Sequence, residues 1–107
     1  MLKRVKRRYL VVEVDSESAV GEEEFLDAVW FSIAKLYGEY GASKVALKII
    51  EYHVSGKMAI LRTASEALEM TRAAIATVTE IGNRPTSLHV TRVSGTIRSL
   101  RSQKPVA

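Results

Sequence analysis

The sequence predicts a four-stranded antiparallel β-sheet with two helices on one face and a short helix at the C-terminus. Two observations carry that reading. Two segments of helical periodicity interrupt β-rich runs in the order β-α-β-β-α-β, and only a Ser-Gly pair separates the second run from the third. This order is that of the ferredoxin-like or RRM-like sandwich, an α/β chain of the α+β kind.

Residues 7–14, RRYLVVEV, form the first strand, with Leu10, Val12 and Val14 on one side and Tyr9, Val11 and Glu13 on the other. Residues 21–38, GEEEFLDAVWFSIAKLYG, place Leu26, Val29, Trp30, Ile33, Leu36 and Tyr37 at helical spacing. Glu22, Glu23 and Glu24 fill the first turn, where the helix dipole favours carboxylates, and Gly38 or Gly41 is expected to end the helix. The next two strands, SKVALKIIEYHV at 43–54 and KMAILRTA at 57–64, flank Ser55-Gly56, a two-residue hairpin connection. Ser65 with Glu66 and Glu69 opens the second helix, SEALEMTRAAIATVTEIG; its positions 68, 71, 75 and 78 form one stripe, and Gly82-Asn83 closes it. TSLHVTRV, after Pro85, is the last strand.

Strands covered by helices on one face alternate between apolar and polar, yet YLVV, VALKII and MAIL are apolar on both sides. The face away from the helices is therefore expected to carry Val11, Ile50 (or its neighbour Ile49) and Leu61 (or Ile60). Such a surface needs a cover, supplied in part by the C-terminal helix and for the rest by a protein partner or a second copy of the chain.

At 107 residues the chain fits a single domain over 1–107, with 47% apolar and 26% charged residues, the composition of a folded soluble protein. No apolar run approaches the ~20 residues of a membrane-spanning helix, and no signal-peptide pattern opens the chain, so an intracellular, cytoplasmic protein is expected. Zero cysteines exclude a disulfide framework, a thiolate zinc site and a cysteine nucleophile.

The net charge of +4 hides a pattern. Lys3, Arg4, Lys6, Arg7 and Arg8 open the chain without an acid, and Arg84, Arg92, Arg98, Arg101 and Lys104 close it without one. All twelve acids lie between, against Lys35, Lys44, Lys48, Lys57, Arg62 and Arg72. If the termini meet in space, the basic ends at 1–8 and 96–107 merge into one patch suited to a polyanion; solvated tails are the plainer alternative.

Catalysis finds little support. His53 and His89 sit in apolar strands without a nucleophile or carboxylate at a recognisable spacing, and read as strand residues. Glu22, Glu23, Glu24 and Asp27 read as dipole-compensating acids rather than metal ligands. No Gly-rich phosphate loop, HExxH or triad pattern is present. An RRM stacks bases on aromatics of its first and third strands; here the third has none and the first has only Tyr9. Tyr52 belongs to the second strand and Trp30 to the buried helix stripe. What remains for a nucleic acid is its phosphate backbone. In SLHVTRVSGTIRSLR, Ser94 or Thr96 can cap a helix beginning at Ile97, offering N–H groups to a phosphate, with Arg98 and Arg101 on one face. The alternative is that Ser94-Gly95-Thr96 only makes a turn.

KRRYLVVEV, LYGEYGASKVALKIIEYHVSGKMAILRT and VSGTIR together resemble the ribonuclease P protein subunits of the Pop-five/Rpp-fourteen family, in the archaeal component-two form. The marks are Arg8-Tyr9-Leu10, the Gly38-x-x-Gly41 pair, Gly56 with Leu61-Arg62, and Gly95-Thr96-Ile97-Arg98, spread over residues 6–99. The compact length is more like an archaeal member than a eukaryotic one. The resemblance implies a non-catalytic subunit of the ribonucleoprotein that removes the 5′ leader from precursor tRNA. The RNA and its Mg²⁺ ions perform the hydrolysis there, and the protein itself binds no cofactor. It also implies a TIM-barrel-like Rpp-thirty partner, with two such pairs joining through the Pop-five subunits. By position Arg8, Gly95, Thr96 and Arg98 match the motifs, and with Lys6, Arg7 and Arg101 they are the residues expected to face RNA. Two other readings stay open. A ligand-binding regulatory or dimerisation domain of the same fold would suit a neutral or acidic surface. An acylphosphatase-like enzyme would need an arginine-bearing phosphate loop where DSESAVGEEE stands.

Overall fold

The structure, a computed structural model, describes residues 6–102; Lys3, Arg4 and Lys104 lie outside them. In chain order the elements are β1 (Arg7–Asp15), α1 (Glu22–Val45), β2 (Lys48–His53), β3 (Met58–Ala64), a 3-10 turn (Ser65–Ala67), α2 (Leu68–Ala76), β4 (Glu80–Ile81), β5 (Arg84–Pro85), β6 (Ser87–Ser94) and α3 (Ile97–Ser102). The main sheet is antiparallel in the order β2-β3-β1-β6, the predicted sandwich, with β4 and β5 as a separate hairpin. Because β1 pairs with β6, the basic start of the chain lies beside its basic end.

Alternation along β1 sets the two faces. Leu10, Val12 and Val14 point to the helices and pack with Phe25, Val29, Ile33 and Ile75. Val11 points the other way and, with Ile60, is buried under Leu100 of α3. The expected cover by a C-terminal helix is thus present. Leu61 is corrected: it is fully buried in the helix-side core, and Ile60 takes its place on the far face. Pairing parity decides this, since Val11 stands opposite Ile60 and Leu10 opposite Leu61. Ile50 lies on the far face as expected and packs against the Leu100 cluster.

Two bulges explain why β2 and β6 defeat a period-two reading. The register shifts between Ile49 and Glu51, so Ile50 is the extra residue, and Ile49 and Tyr52, three apart, both pack toward the helices. Tyr52 stacks obliquely on Phe25, ring centroids 5.2 Å apart, and its hydroxyl donates to the Val20 carbonyl at 2.6 Å. Burial, with the charges of Glu24 and Glu22, raises the pKa of that phenol. On β6 the shift falls opposite Val11/Val12, leaving Thr91 extra and both Val90 and Val93 packed toward the helices.

Helix α1 does not end at Gly38 or Gly41. Gly38 breaks it locally with φ 70° and ψ 177°, after which it resumes to Val45, so residues 43–45 are helical and β2 starts later than expected. That backbone conformation is essentially glycine's alone. A Cβ on Gly41 would lie 2.6 Å from the Tyr37 Cβ, so the second glycine is needed for close approach. On the first helix segment the buried side chains are Phe25, Val29, Ser32 and Ile33, while Leu36, expected in the stripe, is 47% exposed.

Other boundaries shift for similar reasons. His53 pairs with Met58, so Val54–Lys57 forms a four-residue turn in place of the expected two, with Lys57 at φ 51°. Helix α2 stops at Ala76, and Gly82-Asn83, both at positive φ (60° and 63°), makes the two-residue turn of the β4–β5 hairpin instead of a helix cap. Thr71 on the α2 stripe is fully buried, its hydroxyl 3.1 Å from the Thr63 hydroxyl and 2.9 Å from the Ala67 carbonyl.

Candidate nucleic-acid interface

The described part of the N-terminal basic segment, Lys6 to Arg8, leads into the sheet. The Lys6 carbonyl accepts from the Ser65 N–H at 2.8 Å, and Arg7 and Arg8 are the first residues of β1. Tyr9 stands opposite Ser94, which places Arg7 and Arg8 beside the Gly95-Thr96 corner. The Arg8 guanidinium donates to the Arg7 carbonyl at 3.1 Å and lies 3.4 Å from where a Cβ on Gly95 would sit.

The same corner starts α3. Ser94 Oγ accepts from the Thr96 N–H at 3.3 Å, and Thr96 Oγ1 accepts from the Ser99 N–H at 3.1 Å, the N-cap the sequence suggested. Arg98 follows, exposed. Among the described residues, Lys6, Arg7, Arg8 and Arg98 form no ion pair. The pairing sets Arg7 and Arg8 beside the Gly95-Thr96 corner, with Lys6 just before them and Arg98 two residues beyond it, and among the described residues none of these four basic side chains has a carboxylate partner.

Of the C-terminal set, Arg84, Arg92 and Arg101 are engaged elsewhere. Arg84 pairs with Glu24 at 2.8 Å and donates to the Ala19 carbonyl at 3.1 Å, tying the β4–β5 hairpin to the start of α1. Glu24 also accepts from the Gly21 N–H at 3.2 Å; that bond first, and then Arg84, hold its carboxyl below the usual range. Arg92 donates to the Leu100 carbonyl at 3.3 Å. Arg101, although on α3 with Arg98, pairs with Glu51 of β2 and so clamps α3 to the sheet.

That pair has a pH signature. The Arg101 hydrogen bond and charge, with His53 3.6 Å from Glu51, hold the Glu51 carboxyl below its ordinary value of 4.5. A lowered folded pKa means that the clamp contributes above the unfolded value and is lost as pH falls through the folded one. NMR amide shifts of α3 are expected to move on acidification below the ordinary carboxylate range, and Glu51→Gln is expected to abolish that step.

No helix among the described residues is long and apolar enough to cross a membrane, and no group of three or more His, Cys, Asp or Glu side chains among them could hold a metal ion. The acids expected at the start of α1 act locally, Glu24 through Gly21 and Arg84.

The family model described as Rpp14/Pop5 family matches residues 8–103. The chain belongs to the Rpp14/Pop5 family. Similar proteins include ribonuclease P protein component 2 of Methanosarcina barkeri, 34% identical over 95 residues, covering 89% of this chain and 69% of that one. The Pyrococcus horikoshii protein of the same name is 30% identical over 98 residues, covering 92% and 82%. A chain in the cryo-EM structure of yeast ribonuclease MRP matches with a TM-score of 0.72 over 90% of this chain and 79% of that one; at 12% identity this speaks for the fold.

For a member of the Rpp14/Pop5 family the motifs now have distinct physical roles. Gly38 and Gly41 shape α1, and Thr96 caps α3. Sequence reasoning passed over Lys48 and the placement of Arg62, because their shared face is fixed by pairing between β2 and β3. The basic β2 residue beside an apolar run was the available signal.

Proposed function

We propose that this chain is a protein subunit of cytoplasmic ribonuclease P. It holds the RNA in its cleavage-competent fold while the RNA, with its Mg²⁺ ions, removes the 5′ leader of precursor tRNA. The observation that carries this is the corner where Arg7 and Arg8 of β1 lie beside Gly95-Thr96, with Arg98 two residues further on in α3, a set of basic residues on a strand and a capped helix of a Rpp14/Pop5 chain. Guanidinium forks match phosphate oxygens, and fixing them on a strand and a capped helix reduces the entropy lost on binding. In this reading no protein side chain takes part in bond breaking. The test is reconstitution of precursor tRNA cleavage from the host RNA, Mg²⁺ and partner proteins, with and without this chain. Omission is expected to slow cleavage or raise the Mg²⁺ requirement, and unchanged cleavage would overturn the assignment.

The implied TIM-barrel-like Rpp-thirty partner is assigned to the opposite flank rather than to the sheet face, because α3 already covers Val11 and Ile60. Phe31 is 70% and Leu36 47% exposed, and both line a groove of about 850 Å³ between α1 and the β4–β5 hairpin. Asp27 and Glu80 line it with Lys35, as does Glu24, paired with Arg84; this acid excess disfavours RNA and suits a basic, apolar protein surface. Phe31→Ala is expected to weaken the binary complex about tenfold or more by calorimetry while leaving RNA affinity unchanged. An unaltered complex would move the partner elsewhere.

A further inference from the structure

Tyr9 and Arg62 remain outside the roles given so far, yet the strand register makes them neighbours. Across the sheet Lys48 stands opposite Arg62, Arg62 opposite Tyr9, and Tyr9 opposite Ser94, a single row over all four strands. The row lies on the face away from α1 and α2. Tyr9 packs against Val11, Ile60 and Leu100; Arg62 follows Ile60 by two residues, and Lys48 precedes Ile50 by two. Helix α3 covers the middle of that face, and the row runs along the edge of the covered area. Arg7, two residues before Tyr9 and exposed, lies beyond it.

The chemistry of the row is specific. An aromatic ring has a guanidinium on the next strand and an ammonium on the one beyond it, both on its β3 side, with Ser94 on the other, and among the described residues neither Arg62 nor Lys48 forms an ion pair. Tyr9 is half-buried, its ring held by the apolar cluster beside it, so little side-chain freedom is left to lose on binding. At about 4.8 Å per strand the row is roughly 14 Å long, room for a short single strand of nucleotides. At its far end Ser94 opens onto the Gly95, Thr96 and Arg98 corner.

We propose that this row is a subsite for unpaired RNA, with one nucleobase stacked on Tyr9 and the phosphates running from it across β3 and β2 held by Arg62 and then Lys48. It rests on the RNA-binding reading above and adds to it a ligand conformation and three residues. A β-sheet platform with an aromatic on each central strand is absent here, since β3 carries none, but one ring with two cations suffices for one base. Stacking needs an unpaired base, so the row should favour single strands over duplex.

The test uses the full chain with two probes, a single-stranded oligouridylate and an RNA hairpin duplex of matched length, measured by fluorescence anisotropy across a salt series. The single strand is expected to bind more tightly. Tyr9→Leu is expected to weaken it about tenfold, while Tyr9→Trp holds it within about twofold. Lys48→Gln with Arg62→Gln is expected to weaken it about tenfold and to flatten the log–log salt dependence by one to two units. These last two are surface changes, so they decide the matter should Tyr9→Leu impair folding. If the wild-type chain binds neither probe nor the ribonuclease P RNA, the RNA reading and this subsite both fall. If it binds, Arg8→Ala and Arg98→Ala weaken it, and the row variants do not, only the subsite is overturned.

Discussion

Replacing Leu100 by alanine is expected to lower the unfolding free energy by about 2–4 kcal/mol, a large effect for a residue two positions before the last described one. Leu100 is fully buried and covers Val11 and Ile60, which are themselves 1% and 2% exposed. The six residues of α3 are far too few to stay helical without tertiary support. Loss of the leucine therefore releases the helix as a unit, including the Thr96 cap and the Arg101–Glu51 clamp. Amide exchange at 97–102 should rise toward that of an open segment, and the uncovered apolar face should promote self-association. Denaturant unfolding and exchange measured on the same samples check it. A loss below about 1 kcal/mol, with α3 still protected, would mean that the helix is held by its polar contacts instead.

Neutralising Arg7, Arg8 and Arg98 together is expected to weaken binding to ribonuclease P RNA about 10- to 100-fold and to reduce the slope of log K against log salt by two to three units. Its melting temperature should hardly move, because these side chains are exposed or partly exposed and have no carboxylate partner among the described residues. Arg101→Ala is the contrasting variant. Its guanidinium is already committed to Glu51, so its loss should loosen α3 while changing the salt slope less. Equal slopes for the triple variant and the wild type would remove the corner from the RNA interface.

The difference between Arg98 and Arg101 shows where sequence reading stops. Both were legible as basic residues on one helix, three apart, and the Thr96 cap was legible from its position before Ile97. That one arginine meets a glutamate fifty residues away was not, since nothing local to either residue encodes it. The same holds for Lys48, Arg62 and Tyr9, which share a row only because three strands pair in one register.

By itself the sequence determined the order of strands and helices, the inward set Leu10, Val12 and Val14 against outward Val11, and the separation of basic ends from an acidic middle. Those features follow from local periodicity and charge, which each segment carries within itself. The tertiary structure alone decided that Ile60 rather than Leu61 faces outward, that α1 resumes beyond Gly38, that Gly82-Asn83 turns a hairpin, and that Arg101 is a clamp. A strand apolar on both sides has no intrinsic inside. One bulged residue reverses the faces beyond it, and only pairing with a neighbour fixes which side meets the helices.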